Sequence, residues 1–206
     1  MDSAFFITGF VTLFVIMDPI GLAPIFVALT QGMSPEKRRR IALRACLTAG
    51  ILLSLFALFG EAVLGFVGIS MPAFRIAGGI LLFLTALDML FQRRTKRRED
   101  QAEEEDQNDD PSVFPLAIPL ISGPGSIATV ILLAGQHPGW AGLASTLTIM
   151  LMVLLITLVL FFSAGLLERA LGKTGITVVT RLLGMLLAAL SVQFVLDGLK
   201  AFGFAS

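Results

Sequence analysis

Residues 61–70 read EAVLGFVGIS, and residues 168–177 read ERALGKTGIT. Glutamate, leucine, two glycines and isoleucine recur at one constant spacing, and a serine in the first stretch is replaced by threonine in the second. Further on, after one residue of slippage, Arg75 is followed at the third position by Gly78, and Arg181 by Gly184. Self-similarity of this kind indicates a duplicated structural unit.

The sequence around these two stretches is too apolar for an ordinary soluble domain. Of its 206 residues, 56% are hydrophobic and 15% are charged, and the mean hydropathy is +0.89. Uncharged runs are long enough to cross the roughly 30 Å of membrane hydrocarbon, which takes about 20 helical residues. We therefore predict an all-α integral membrane protein. Its six predicted transmembrane helices are at residues 4–29, 43–66, 71–91, 113–135, 141–167 and 176–199.

The repeat divides these spans into two sets of three. It covers the end of the second span and the third span, and then the end of the fifth span and the sixth. An odd number of spans reverses the orientation of the second copy. We therefore predict two inverted three-helix repeats, at residues 1–92 and 113–206, joined by a charged cytoplasmic linker at residues 93–112.

Basic residues predict the orientation in the membrane. Lysine and arginine occur in the first, third and fifth connections between spans, and none occurs in the second or fourth. Because cytoplasmic loops collect these residues, the odd-numbered connections are expected in the cytoplasm and both termini outside, on the periplasmic side.

The linker continues as the acidic tract EDQAEEEDQNDDP. Its composition is typical of a disordered, solvated segment. A role in binding cations or in docking a partner is the alternative.

The first span of each repeat contains helix-breaking residues. Residues 17–26 read MDPIGLAPIF, and residues 115–126 read PLAIPLISGPGS. Proline removes a helix donor and glycine tolerates non-helical angles, so we expect each of these helices to be broken. Aspartate before proline, as in Asp18 and Pro19, is also a usual helix start, and Ser122, Gly123 and Pro124 are expected to act similarly.

Both breaks are predicted near the membrane centre. The position halfway between Asp2 and Glu36 falls beside Asp18, and the position halfway between Asp110 and His137 falls at Gly123. In inverted halves, the two half-helix N-termini converge on one midplane site that suits an anionic group such as a carboxylate. The candidate binding residues are Asp18, Pro19, Gly21, Pro24, Ser122, Gly123, Pro124, Gly125 and Ser126.

Asp18 is the only acidic residue deep within a predicted span, where an unpaired charge is costly. Three interpretations stay open. Asp18 caps the half-helix only, or it also contacts a substrate ammonium or a coupling cation, or it carries protons.

Several other functions are not supported by the sequence. It contains no P-loop, nucleophile elbow, dinucleotide fingerprint or metal-ligand constellation, so neither an ATP-driven pump nor an enzyme is indicated, and no cofactor is expected. With 15 basic and 15 acidic residues and no basic face with interleaved aromatics, nucleic-acid binding is not expected either.

Three motifs resemble those of the MarC family of bacterial inner-membrane proteins, also called the neutral amino acid transporter family. They are MDPIGLAPIF in the first span, PEKRRR after it, and PLAIPLISGPGS at the start of the second half. The resemblance covers nearly the whole chain, although the acidic part of the linker departs from the family pattern. It implies six helices and, for some members, export or uptake of small neutral amino acids.

The leading hypothesis is therefore an inner-membrane secondary transporter that exports a small neutral amino acid by alternating access. Asp18 is expected to face the ammonium or a coupling ion, H⁺ or Na⁺, while amides near Gly21 and in residues 123–126 hold the carboxylate. The alternatives are an ion or metal-cation carrier and a non-transporting scaffold or stress-response component that acts through the acidic linker. The expected partners are a small-molecule substrate and the lipid bilayer, and the sequence leaves homo-oligomerisation open.

Overall fold

A computed structural model of the chain describes residues 3–93, 96–98, 110–137 and 139–204. Within these ranges the chain is predominantly helical and contains no strand. The elements are α1 (Ser3–Met17), α2 (Pro19–Leu29), α3 (Pro35–Val67), α4 (Met71–Leu90), a π-helical stretch called the π segment (Ser112–Ile121), α5 (Pro124–Gln136), α6 (Trp140–Phe162) and α7 (Ala164–Ala201).

The helices confirm an all-α multi-pass membrane protein. Among the described residues, five helical stretches are long and apolar enough to cross a membrane, and one of them combines α1 and α2 as Ser3–Leu29. The π segment and α5, which are bent by 59° relative to each other, make up a sixth if the pair counts as one span.

Local sequence signals explain where α3 and α4 begin and end. Ser34 and Ser70 have extended backbone angles, and their hydroxyls accept N–H groups of the first helical turns. Gly68 ends α3 with a φ of 81°, in the left-handed region that glycine enters readily. Ser34 caps the N-terminus of α3, and Pro35 is favoured as the first helical residue. Helix α3 therefore begins at Pro35 rather than at the predicted residue 43.

Helices α4 and α7 pack closely through glycine. A Cβ on Gly79 would lie 2.8 Å from the Ser191 carbonyl oxygen, and one on Gly198 would lie 3.0 Å from the Pro72 carbonyl oxygen. Small residues at such positions let two backbones approach. The order of these contacts along the two helices makes α4 and α7 antiparallel.

The first span lies inside the bundle. Most residues in the core of the Ser3–Leu29 span are buried, whereas fewer than a third are buried in the spans of α3, α4 and α7. Interrupted backbone is tolerated at membrane depth only where protein surrounds it or it lines an aqueous cavity. The fold therefore places the break in the first span where neighbouring helices cover it.

Candidate binding site at the two helix breaks

Asp18 forms the first break, between α1 and α2. Its backbone is left-handed, with a φ of 54° and a ψ of 61°, and its carboxylate oxygen Oδ1 accepts the Gly21 amide at 3.1 Å. Pro19 follows as the first residue of α2 and is buried. The predicted N-cap followed by proline is therefore confirmed, with an aspartate in a conformation that this residue type tolerates better than most.

Gly21 and Pro24 shape the start of α2. A Cβ on Gly21 would lie 2.3 Å from Asp18 Oδ2, so a larger residue at this position would push the carboxylate away. Pro24 lies inside α2 and is half-buried. It lacks the amide that a regular helix would bond to the Ile20 carbonyl.

Arg98 binds the carboxylate at the first break. Its Nη1 lies 3.1 Å from Asp18 Oδ2, and its Nη2 donates to the Met17 carbonyl oxygen at 3.1 Å. Arg98 is 5% exposed and Asp18 is 1% exposed. The guanidinium thus neutralises the buried acid and also binds a backbone oxygen at the interruption.

This contact departs from the predicted solvated linker at residues 93–112. A buried carboxylate is stable only with a compensating charge or water, and the last arginine of the basic run supplies that charge. Pro111 and Ser112, at the other end of the linker, are also buried. Most of the acidic tract, residues 99–109, lies outside the described part of the chain.

Two other ion pairs show how different the Asp18 contact is. Arg97 binds Asp88 at 2.9 Å, and Arg44 binds Asp110. The arginine side chains of these pairs are 64% and 58% exposed. Solvent-exposed ion pairs of this kind contribute little to the stability of the folded protein. Loss of one partner from a buried ion pair, in contrast, strongly destabilises the fold.

The second break lies between the π segment and α5. Phe114 and Ile118 have extended backbone angles, as residues before proline usually do, and Pro115 and Pro119 follow them. Helix α5 begins after Gly123, with Pro124 as its first residue and no side-chain cap. The predicted start at Gly123 and Pro124 is therefore confirmed.

Ser122 has a different role from the one predicted. Its hydroxyl donates to the Ala49 carbonyl oxygen of α3 at 3.4 Å, so it does not cap α5. The Gly123 carbonyl instead accepts the Ile127 amide at 3.0 Å. The first amides of α5 consequently have no side-chain acceptor of the kind that Asp18 provides for α2.

The two breaks meet where Gly125 packs on α1. A Cβ on Gly125 would lie 2.7 Å from Ile16 Cδ1 and 2.8 Å from Ile16 Cγ1. Ile16 lies two residues before Asp18, so the first turn of α5 contacts the end of α1. Ser126, the next residue of this turn, is 2% exposed. Tertiary packing therefore brings the two predicted motifs together.

The two breaks provide opposite electrostatic features. The first carries a full negative charge with a bound cationic group, and the second carries the partial positive charge of an uncapped helix N-terminus. Pro124 is exposed and Gly123 is half-buried, so the start of α5 is not fully enclosed. Among the described residues, no three His, Cys, Asp or Glu side chains are grouped as metal ligands.

Arg98 is part of this site although its sequence context did not predict it. Within the run RRTKRR at residues 93–98, nothing local distinguishes Arg98 from Arg97. A general signal did exist, because a buried aspartate requires a counter-charge. From that requirement one can predict that a basic residue lies near Asp18, but not which basic residue it is.

Comparison with known proteins agrees with these motifs. A family model described as "MarC family integral membrane protein" matches residues 3–202. A UPF0056 membrane protein of Aquifex aeolicus is 39% identical, with 95% of this chain and 92% of the relative covered. Another from Archaeoglobus fulgidus is 40% identical over 95% and 92%, and the Bacillus subtilis UPF0056 membrane protein YvbG is 35% identical over 97% and 96%. No solved structure matches. The family resemblance is thus confirmed across nearly the full length, and the chain belongs to the MarC family of integral membrane proteins.

Proposed function

We propose that this MarC-family protein is a secondary transporter of the inner membrane that exports small neutral amino acids by alternating access, driven by H⁺ or Na⁺. The observation that carries the proposal is the meeting of two helix breaks inside the bundle, one with a buried carboxylate and one with an uncapped helix N-terminus. Discontinuous helices of this kind form the substrate sites of several secondary transporters.

The charges at the breaks suit a zwitterion. In this proposal the Asp18 carboxylate binds the ammonium group, and the amides at the start of α5, in Gly125 and Ser126, bind the carboxylate. The Gly21 amide, which was also expected to hold the carboxylate, already donates to Asp18. Substrate recognition is therefore assigned to α5 for the anionic end and to Asp18 for the cationic end.

Alternating access requires two halves that move against each other, and the α4–α7 contact supports inverted halves. Gly79 packs against Ser191 and Val195, and Gly184 packs against residues 86–90. In the register that aligns Arg75 with Arg181, residues 86–90 correspond to residues 192–196. When each residue is replaced by its counterpart in the other half, the Gly79 contact therefore coincides with the Gly184 contact to within about one residue. A two-fold axis in the membrane plane would produce this relation.

Contacts between the basic connections support the proposed orientation. Arg44, near the start of α3, pairs with Asp110 of the third connection, and the Arg39 guanidinium lies 5.9 Å from the centre of the Phe162 ring at the end of α6. The first, third and fifth connections therefore lie at one end of the bundle. The positive-inside rule assigns that end to the cytoplasm and both termini to the periplasm.

The direct test is flux through the purified protein in liposomes. Radiolabelled alanine, serine and glycine should cross the membrane, and Asp18→Asn should reduce that flux at least about tenfold, because it removes the charge that binds the ammonium. Asp88→Asn is the matched control and should leave the flux unchanged. Asp88 lies in the last turn of α4 and pairs with the exposed Arg97 rather than with a residue of the breaks. Unchanged flux in Asp18→Asn would reject the site, and absence of flux for all three amino acids would reject the substrate class.

One observation favours a second candidate, an ion or metal-cation carrier. Asp18 Oδ2 and the Met17 carbonyl oxygen already bind one cationic group between them, and two such oxygens are ordinary ligands for a hard cation. Ion-dependent charge movement without any amino acid would support this carrier. The scaffold alternative depends on the acidic tract, which lies mainly outside the described residues.

A further inference from the structure

Arg98 occupies the first break as a ligand would. Its two terminal nitrogens bind oxygens from two neighbouring residues, the Asp18 side chain and the Met17 backbone, at 3.1 Å each. An amino-acid ammonium is a smaller and more compact positive group, but its three N–H donors suit the same two acceptors. The cation position at Asp18 is thus filled by a group of this chain.

The origin of Arg98 in the chain distinguishes it from a structural partner. It belongs to the connection after α4, at residues 96–98, and not to any of the candidate spans. Its neighbour Arg97 pairs with Asp88 at the surface, so this short turn already has one attachment to the end of α4. Buried ion pairs often give less net stability than apolar packing of the same volume. The ion pair as a whole therefore adds little to the stability of the fold, although removal of Arg98 alone takes away the counter-charge that the buried Asp18 carboxylate needs.

We propose that Arg98 is a tethered occupant of the cation position at Asp18, and that its guanidinium must leave before the ammonium of a small amino acid binds there. This inference rests on the proposed transport function and adds its regulation. In this conformation, Arg98 of the third connection competes with the amino acid for the Asp18 carboxylate. Tethering gives such a competitor an effective concentration in the millimolar range, which raises the apparent KM for cargo.

Removal of the competitor should therefore improve cargo binding. In liposomes, Arg98→Ala and Arg98→Gln should lower the KM for alanine flux by roughly two- to tenfold, because less binding free energy is spent in displacing the tether. Arg98→Gln keeps a polar side chain of intermediate length and serves where Arg98→Ala is poorly folded. Arg97→Ala is the matched control, with KM unchanged, because it removes the adjacent surface-exposed arginine.

A second experiment tests the cation position without any amino acid. Purified Arg98→Ala in detergent is heated in millimolar guanidinium chloride, with tetramethylammonium chloride as a cation that has no N–H donor. Guanidinium should raise the Tm by a few degrees, since a ligand that binds only the folded state stabilises it. Wild-type protein and the double variant Asp18→Asn/Arg98→Ala should not respond, the first because the position is filled and the second because the carboxylate is gone.

The outcomes separate the two proposals. Unchanged KM in both Arg98 variants, or a guanidinium effect that persists without Asp18, overturns the tethered occupant. Failure of both Arg98 variants to fold also overturns it, since the pair is then structural. If wild-type protein moves none of the amino acids but guanidinium stabilises Arg98→Ala through Asp18, the amino-acid function fails and the cation position stands.

Discussion

The two helix breaks lie at corresponding places in the predicted repeats, yet they are built differently. The first is an aspartate that caps its own helix and binds Arg98. The second has no charged residue, bends the chain by 59° and leaves α5 without a side-chain cap. The difference shows that breaks at corresponding places in the two predicted repeats do not share an electrostatic character, because a few side chains set that character at each break.

The largest effect is expected when the charge at the first break is removed. Asp18→Asn leaves the Arg98 guanidinium buried without its counter-charge, which should cost about 3–5 kcal/mol of unfolding free energy. The double variant Asp18→Asn/Arg98→Gln removes both charges and should recover most of that loss. Thermal unfolding in detergent of the two single variants and the double variant measures the coupling. Additive losses would contradict a direct interaction between the two side chains.

A methyl group at Gly21 should be the next most damaging change. In Gly21→Ala the new Cβ meets Asp18 Oδ2, so the carboxylate moves and the helix cap weakens. Together these two effects should lower the unfolding free energy by about 2–4 kcal/mol. Amino-acid flux should also fall, because the carboxylate has moved.

The matched control for Gly21 is Gly65→Ala in α3, where no described atom lies within 4 Å of the added Cβ. Alanine is the better helix former, so unfolding should show no loss at this position. Equal losses at Gly21 and Gly65 would mean that the close contact with Asp18 is unimportant.

The same change at the second break should be milder and should depend on α1. Gly125→Ala presses on the Cδ1 and Cγ1 atoms of Ile16, which are side-chain and not backbone atoms, and should cost about 1–3 kcal/mol. Ile16→Ala removes the atoms that are contacted, at the cost of a cavity worth about 2–5 kcal/mol.

The double variant Gly125→Ala/Ile16→Ala should lose about 1 kcal/mol less unfolding free energy than the sum of the two single-variant losses. Unfolding measurements on the four proteins decide this. Strict additivity would show that the two breaks are not in contact.

The smallest effect is expected for Ser122→Ala. It removes one long hydrogen bond to the Ala49 carbonyl and should change stability by about 1 kcal/mol or less. The structure assigns the start of α5 to Gly123 and Pro124 and not to Ser122, so the flux should stay near the wild-type value. A loss as large as that in Gly21→Ala would make Ser122 a functional residue of the second break.

Local signals in the sequence predicted much of this framework. Apolar runs predicted the membrane class, and the order of aspartate, proline and glycine predicted a capped helix beginning after Asp18. The first feature depends on the composition of single apolar runs, and the second on residues within one or two helical turns. The inverted relation of the two halves stays a prediction that the α4–α7 contacts support.

Contacts between distant parts of the chain were not predictable in the same way. Arg98 lies 80 residues from Asp18 in sequence. The same connection contains four other basic residues, and the sequence does not show which of the five pairs with Asp18. The packing of Gly125 on Ile16 likewise depends on how α1 and α5 cross. A need for a counter-charge or for a small residue is visible in a sequence, but the partner that meets it is fixed by the fold.

The separation between Asp18 and Arg98 also matters while the protein is being made. The acid emerges from the ribosome 80 residues ahead of its partner, which at about 5–20 residues per second is a delay of several seconds. During that time the first span must enter the bilayer carrying an acid whose insertion alone costs about 2.5–3.5 kcal/mol. Until the third connection has been synthesised, the first span therefore carries this cost without the contribution of the Arg98 guanidinium.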